Sequence, residues 1–321
     1  MKKLLFIGWD YQIYTREMIE EFQISGYDVT FYNVVSFSPV TKLRNLISKK
    51  WDKEVQHSRH QEIVVKEKDN KYDIVFLLLP FFSFDCLQNL RNDHPKAKFI
   101  LYLWDAANGY IRKGINISDY LGCFDKAYTF DRQDAIQYGI NYLPLFCVRK
   151  FQNLKQNEVE WNNVYMVGNL ANFRRYDAIK QFEEYCRKEQ ISFNWYLKGT
   201  LRKNIKVLLQ GKSLKYLHTS SISNNTFIDM MQRSLTVFDF ANHIQDGYTM
   251  RVMENLCAGK KIITNNRNVL NEPFYSPDRF FVYDDLDFNG VKEFLKTPLS
   301  DPSARFEEFY LSSFIKKLVS E

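Results

Sequence analysis

The chain has 321 residues, of which 45% are hydrophobic, so it is long enough for two domains and too apolar to be a disordered chain. Its net charge of +6 favours an anionic partner, such as a nucleotide, a phospholipid surface or a nucleic acid. Aromatic residues make up 16%, which indicates heavy cores and leaves room for a sugar-stacking site.

The amino terminus has two lysines and a short apolar run that Asp10 ends. This pattern predicts a first β-strand, because the run is too short for a signal peptide. The five cysteines are scattered without disulfide or metal-ligand spacing. We therefore expect a cytoplasmic protein with reduced thiols and without a metal site or a cofactor.

Strands and helices alternate along the first half of the chain. Helical patterns occupy residues 11–24, 84–92 and 132–138. Apolar runs predict strands at 3–9, 29–34, 73–79, 99–104, 127–130 and 142–146. Continuous apolar strands separated by helices predict a parallel sheet that is covered on both faces.

The alternation restarts after 149–163, a polar stretch that predicts a linker. Helices are predicted at 172–189 and 225–233, after Asp246, and at 306–319. Strands are predicted at 163–168, 193–197, 214–217, 235–240, 262–264 and 282–283.

This doubling predicts an α/β protein with two Rossmann-like, doubly wound parallel-sheet domains that face a cleft. The expected domains are 1–150 and 151–305. The remaining segment, 306–321, is a helix expected to pack back on the first domain.

The segment from Asp246 to Lys260 carries the most informative pattern. Asp246 stands beside a glycine turn, and Glu254 lies eight residues later, inside a helical pattern that ends at Gly259. Eight residues of helix rise about 12 Å. The two carboxylates could therefore contact separated hydroxyl groups of one ligand, such as a sugar joined to a nucleotide.

This segment resembles the donor-binding motif of GT-B glycosyltransferases, whose two Rossmann-like domains hold a nucleotide sugar between them. Many retaining members carry Glu-Gly-Phe-Gly-Leu, three variable residues, Glu-Ala, and then a small residue and Gly before a strand. Residues 246–250, 254–255 and 258–261 fill these three parts. The sequence also resembles bacterial glycosyltransferases of lipopolysaccharide-core and capsule assembly, and the CgeB-like group.

The resemblance implies a metal-independent transferase that moves a sugar from a nucleotide sugar to a cell-envelope or exported glycan or glycolipid. It also implies retention of the anomeric configuration. Asp246 in place of Glu, Thr249 in place of Gly and Lys261 in place of Pro depart from the pattern. The alternatives are a GT-B-like nucleotide-sugar epimerase and a non-catalytic sugar- or nucleotide-binding protein. No nucleic-acid partner is expected, because the basic residues do not cluster with a binding motif.

The resemblance also implies roles for single residues of this segment. Glu254 would bind the ribose hydroxyls, Arg251 the diphosphate and Asp246, as a catalytic residue, the donor sugar. The structural alternatives are an ion pair between Arg251 and Glu254, and a helix cap for Asp246. Backbone amides near the helix start would face an anion, namely those of Gly247, Tyr248 and Thr249.

Further donor-binding residues are expected where the strands of the second domain end. Gly168 and Asn169 end its first strand, Arg174 and Arg175 begin the next helix, and Lys198 ends the following strand. Basic side chains there would stabilise the leaving diphosphate. A solvated basic surface is the alternative.

Two candidate catalytic acids belong to the first domain. Asp10 and Asp105 each follow a strand and a tryptophan, so both should lie at the carboxyl edge of the sheet. If the enzyme inverts, one of them is the general base, and Asp105 is preferred. Helix capping is the alternative role for both.

Residues 40–54 combine an apolar stripe with basic residues, which predicts an amphipathic helix. Such a helix either packs on the sheet or makes peripheral contact with an anionic membrane at its cytoplasmic face. The stripe consists of Leu43, Leu46, Ile47 and Trp51.

Overall fold

The structure is a computed structural model, and it describes residues 1–35, 40–41, 47–152, 154, 161–241 and 246–320. The chain divides into two compact units. The first comprises Met1–Val148 and Leu311–Glu321, and the second Arg149–Tyr310. The division after Val148 lies two residues before the boundary expected from the sequence.

The first unit is built on a sheet of six parallel strands in the order β2-β1-β3-β4-β5-β6. The strands are β1 (Lys2–Gly8), β2 (Tyr27–Asn33), β3 (Ile74–Leu78), β4 (Lys98–Leu103), β5 (Lys126–Thr129) and β6 (Asn141–Tyr142). The helices between them are α1 (Gln12–Ile24), α2 (Lys49–Glu67), α3 (Phe84–Asp93), α4 (Ala107–Ile111), α5 (Ile117–Leu121) and α6 (Arg132–Tyr138).

Continuous apolar strands explain why this sheet is buried. All five residues of β3 are buried, as a parallel strand covered on both faces requires. On the sheet, the ring of Phe6 lies 5.0 Å from that of Phe76 and 6.1 Å from that of Phe22 on α1. The predicted parallel sheet is confirmed.

The second unit contains another sheet of six parallel strands, in the order β12-β11-β10-β7-β8-β9. The strands are β7 (Asn163–Asn169), β8 (Ser192–Lys198), β9 (Leu217–His218), β10 (Thr236–Phe238), β11 (Lys261–Thr264) and β12 (Phe280–Val282). The helices are α7 (Arg149–Gln152), α8 (Phe173–Glu189), α9 (Leu201–Leu209), α10 (Asn224–Gln232), α11 (Met250–Cys257) and α12 (Val291–Lys296), with 3₁₀ turns at Arg267–Asn271 and Glu307–Phe309.

Polar caps fix where the helices of the second unit begin. At four of them a side chain accepts a hydrogen bond from the backbone amide three residues later. The caps are Asn172 of α8, Thr200 of α9, Ser223 of α10 and Thr249 of α11. Because α8, α9 and α11 follow strands, these caps place the helix starts near the carboxyl edge of the sheet.

A cluster of aromatic rings forms the core of the second unit. The ring of Phe182, fully buried on α8, stacks at 4.3 Å on Phe238 of β10. It also meets Phe193 of β8 at 4.8 Å and Phe288 at 5.0 Å. These contacts pack α8 against the sheet through β8 and β10.

The last helix, α13 (Leu311–Val319), belongs to the first unit. Its Phe314 ring lies 4.9 Å from Tyr102 of β4 and 4.6 Å from Phe146. The backbone amide of Leu311 donates to the carbonyl of Cys147 at 3.0 Å. The chain therefore ends on the sheet with which it began.

The amphipathic helix expected at 40–54 is only partly covered by the structure. Residues 42–46, with Leu43 and Leu46, lie outside the described residues. Ile47 and Trp51 are exposed, and α2 begins after Ser48, which accepts a hydrogen bond from the Trp51 amide. No helix in the described part of the chain is both long and apolar enough to cross a bilayer.

Candidate functional site

The topology of the second unit marks one edge of its sheet as the candidate site. Strands β8 and β9 lie on one side of β7, and β10, β11 and β12 lie on the other. Doubly wound sheets bind ligands at the carboxyl ends of the strands, where the strand order reverses in this way. The ends of β7 and β10 therefore define the candidate site.

A fully buried carboxylate, that of Asp239, lies directly after β10. Its Oδ1 accepts hydrogen bonds from Arg251 Nη1 at 2.6 Å and from Thr249 Oγ1 at 3.1 Å. Its Oδ2 accepts one from Thr264 Oγ1 at 3.0 Å. Asp239 thus joins the ends of β10 and β11 to the start of α11.

Arg251 extends this network to β7. Its Nε and Nη2 donate to the carbonyl oxygen of Val167 at 3.0 and 2.8 Å. A Cβ atom on Gly168 would lie only 2.5 Å from Nη2 of Arg251. Gly168, predicted to let a phosphate approach the backbone, thus makes room here for the guanidinium group of Arg251.

A second guanidinium group lies at the same edge. Nη1 of Arg175 donates to the Asn169 carbonyl at 2.9 Å, and Nη2 donates to the Phe240 carbonyl at 3.1 Å. Its buried Nε has no hydrogen-bond partner among the described residues. Burial, followed by the positive charge of Arg251, lowers the pKa of Arg175 to about 10, so Arg175 stays protonated at neutral pH.

The charges of these three side chains do not cancel. Arg175 and Arg251 each carry a positive charge, and Asp239 carries one negative charge. Together these three side chains carry a net charge of +1. Guanidinium groups bind phosphate oxygens well, because their planar N–H donors match phosphate geometry.

The other donor-binding residues predicted near these strand ends are exposed. They are Asn169, Arg174 and Lys198. The ammonium group of Lys198 donates to Ser221 Oγ at 2.8 Å. A cation not predicted from the sequence, Lys203 of α9, donates to the carbonyls of Leu170 at 2.7 Å and Ala171 at 3.0 Å.

Helix α11 does not begin at Asp246, as a capping role for that residue would require. Thr249 is the cap of this helix, and its Oγ1 accepts from the amide of Val252. The capping role for Asp246 is therefore wrong, because Asp246 lies three residues before the cap. Gly247 and Tyr248 are buried, and the Tyr248 hydroxyl donates to Glu272 Oε1 at 2.6 Å.

Helix α11 is buried on nearly all sides, rather than on the single face that its spacing predicts. Glu254 is only 3% exposed, and Asn255 is fully buried. Asn255 is satisfied by the Tyr165 hydroxyl at 2.8 Å and by the Arg251 carbonyl at 2.8 Å. Arg251 forms its ion pair with Asp239, a partner that the spacing within residues 246–260 does not indicate.

The two acids of the first unit lie where the sequence predicts. Asp10 follows β1, Asp105 follows β4, and both are exposed. The cap positions of α1 and α4 are Tyr11 and Ala106, and neither helix has a side-chain cap. Helix capping is therefore the wrong explanation for both acids.

The surroundings of Asp105 shift the pKa of its carboxyl group upward. Desolvation by neighbouring protein raises the pKa of its carboxyl group, against an opposing effect from Lys113. The ring of the preceding Trp104 lies 5.9 Å from Tyr14 and 5.3 Å from Phe146. Trp104 is thus held by packing within the first unit.

The second unit also contains a cavity of about 730 Å³. Its lining includes Leu235 and Lys261, where β10 and β11 begin, and Leu295, near the end of α12. This is the amino edge of the sheet, opposite to Asp239. The ammonium group of Lys261 donates there to the carbonyls of Phe294 and Thr297. Lys261 therefore holds the end of α12.

One group of potential metal ligands exists among the described residues. Atoms of His57, Asp85 and Cys86, on α2 and α3, lie within 4.8 Å of one another. Burial raises the pKa of the Cys86 thiol to about 11, which disfavours the thiolate that binds metals. This group belongs to the first unit and shares no residue with the site around Asp239.

No protein-family model matches the chain, and no curated protein matches it by sequence. Solved structures do match, each over 99% of this chain. An alpha-glucosyltransferase in complex with UDP and DNA is 12% identical, with 95% of its chain covered and a TM-score of 0.67.

The lipopolysaccharide outer core galactosyltransferase WaaB is also 12% identical, with 99% covered and a TM-score of 0.59. Anabaena HepE in complex with UDP is 10% identical, with 94% covered and a TM-score of 0.56. These similarities confirm the predicted fold, that of GT-B glycosyltransferases with two Rossmann-like units.

We predict that Asp239→Asn lowers the free energy of unfolding by about 3 kcal/mol, because the mostly buried Arg251 loses its neutralising charge. The matched control is Asp229→Asn, which removes the acid of an exposed pair with Arg233 and should cost below about 1 kcal/mol. Urea unfolding of both variants measures the difference. Equal losses would show that Asp239 does not hold the edge together.

Proposed function

We propose that this protein is a glycosyltransferase that takes its sugar from a UDP-sugar. The observation that carries the proposal is the pair of guanidinium groups at the reversal point of the second sheet. The shared fold supports it, because solved structures of that fold include complexes with UDP. The proposed diphosphate site is the edge formed by β7, β10 and the start of α11.

The proposed chemistry needs positive charge at this edge. When the sugar leaves, negative charge grows on the UDP oxygens, and fixed cations stabilise it without reorganising. Arg251 is held by Asp239 and the Val167 carbonyl, and Arg175 by two other carbonyls. Both are thus positioned before the donor arrives. We propose that they perform this role without a metal ion.

For the other donor contacts we propose the roles that the sequence indicates. Glu254 is assigned to the ribose hydroxyls and Asp246 to the donor sugar. Glu254 lies one helical turn after Arg251 on α11, so a nucleotide whose diphosphate meets Arg251 would extend along that helix. Thr249 has a positioning role, since its hydroxyl joins the helix start to Asp239.

We predict that Arg175→Gln weakens UDP binding at least about tenfold, because it removes one charge from the diphosphate site. Arg187→Gln, an exposed change at the other end of α8, is the matched control and should bind UDP as the unmodified protein does. Titration calorimetry gives both dissociation constants, and thermal unfolding without UDP checks the fold. Unchanged affinity in Arg175→Gln would remove Arg175 from the site.

The proposed acceptor is a cell-envelope or exported glycan. This choice is supported by WaaB, a lipopolysaccharide outer core galactosyltransferase of the same fold. DNA is the second candidate. Several alpha-glucosyltransferase structures of this fold are complexes with DNA, and two of these contain an HMU base. The net charge of +6 is compatible with that polyanion.

We expect labelled sugar to move from UDP-glucose or UDP-galactose to lipopolysaccharide or capsule glycan, and not to duplex DNA with a hydroxymethylated base. Product analysis by mass spectrometry distinguishes the outcomes. Labelled DNA would reverse the choice of acceptor. Conversion of the nucleotide sugar without an acceptor would indicate an epimerase, and an intact donor with every acceptor would indicate a binding protein.

We propose retention of the anomeric configuration, in which Asp105 is not the sole base for the acceptor hydroxyl. Asp105→Asn should then lower kcat by less than about tenfold, with Asp10→Asn as the comparison. Proton NMR of the first product gives the configuration. Three results together would make Asp105 the base instead. The product would be inverted, Asp105→Asn would lower kcat more than about a hundredfold, and the activity of the unmodified protein would fall at acidic pH as Asp105 is protonated.

A further inference from the structure

Helix α9 of the second unit carries four large apolar side chains on its exposed surface. Leu201 is 66% exposed, Ile205 47%, Leu208 55% and Leu209 80%. At about 100° per residue, these positions form one stripe along the helix. The opposite side, with Asn204 and Val207, is buried against the unit. The stripe is therefore not the face that folding covers.

Positive charge adjoins this stripe. Arg202 and Lys206 are exposed on α9, each one position after a residue of the stripe and thus rotated toward its flank. Residues 190–228 contain no Asp or Glu. They contain six basic residues: Lys198, Arg202, Lys203, Lys206, Lys212 and Lys215.

The apolar stripe and the cations beside it together indicate which class of partner would bind α9. Single exposed apolar residues are ordinary, whereas a contiguous patch indicates an interaction surface. A nucleic-acid backbone would match the cations but would leave the leucines in water. The boundary between headgroups and acyl chains in an anionic bilayer matches both features, since apolar side chains enter it while Lys and Arg meet the phosphates.

We propose that α9 docks the protein on an anionic membrane surface, with its apolar stripe inserted into the headgroup region. The helix begins after β8, and Lys203 ties it to the loop after β7 through the carbonyls of Leu170 and Ala171. A docked α9 holds the carboxyl edge of the second sheet close to the lipid. The proposal does not depend on the transferase activity.

Vesicle sedimentation of the full chain tests the proposal. The chain should sediment with vesicles of mixed phosphatidylcholine and phosphatidylglycerol, and not with phosphatidylcholine alone. The apolar variant Leu201→Gln/Ile205→Gln/Leu208→Gln and the charge variant Arg202→Gln/Lys206→Gln should each reduce binding at least about tenfold. The control Ile136→Gln removes an isolated apolar side chain that is 77% exposed on α6, and it should bind normally.

All the substituted side chains are exposed, so thermal unfolding without lipid should match the unmodified protein. Three results would overturn the proposal. The first is no sedimentation of the chain with the anionic vesicles. The second is vesicle binding that both α9 variants retain. The third is association between copies of the protein, seen by light scattering, which the apolar variant abolishes and which occurs without vesicle binding. DNA binding lost in the charge variant, without vesicle binding, would assign the surface to nucleic acid instead.

Discussion

One buried carboxylate organises the candidate site. Asp239 has no solvent exposure, so its charge must be neutralised and hydrogen-bonded by protein. Thr264, Thr249 and Arg251 do so, and Arg251 also reaches the Val167 carbonyl. These bonds join β10, β11, α11 and β7 at the point where the strand order reverses. The position of the Arg251 guanidinium group at this edge depends on that arrangement.

The same arrangement explains why the edge is suited to an anion. Arg175 is held by two carbonyls and has a lowered pKa, with no carboxylate among its hydrogen-bond partners in the described structure. A desolvated cation is costly to keep, and such groups are concentrated at functional sites. A diphosphate would supply the negative charge that Asp239 alone does not.

The fold was predictable because parallel strands buried on both faces read as continuous apolar runs, and the doubled pattern covers the chain. The site was only partly predictable. Asp239 belongs to the strand predicted at 235–240. A single acid within a strand does not indicate which distant side chains will bind it. Arg174 and Arg175 are adjacent at the start of α8, and tertiary packing decides that Arg175 rather than Arg174 turns toward the sheet edge. Thr249 caps α11, although the Asp246-Gly247 pair is also a typical helix start. The exposed stripe of α9 depends on tertiary packing that periodicity cannot reveal.

Hydrogen exchange with and without UDP tests the central claim, that the donor diphosphate binds where β7, β10 and α11 meet. Protection on UDP binding should appear in 167–175, 237–241 and 246–254, while 295–305, which line the cavity at the amino edge, should exchange as before. Protection confined to 295–305, or no change anywhere at saturating UDP, would contradict the account.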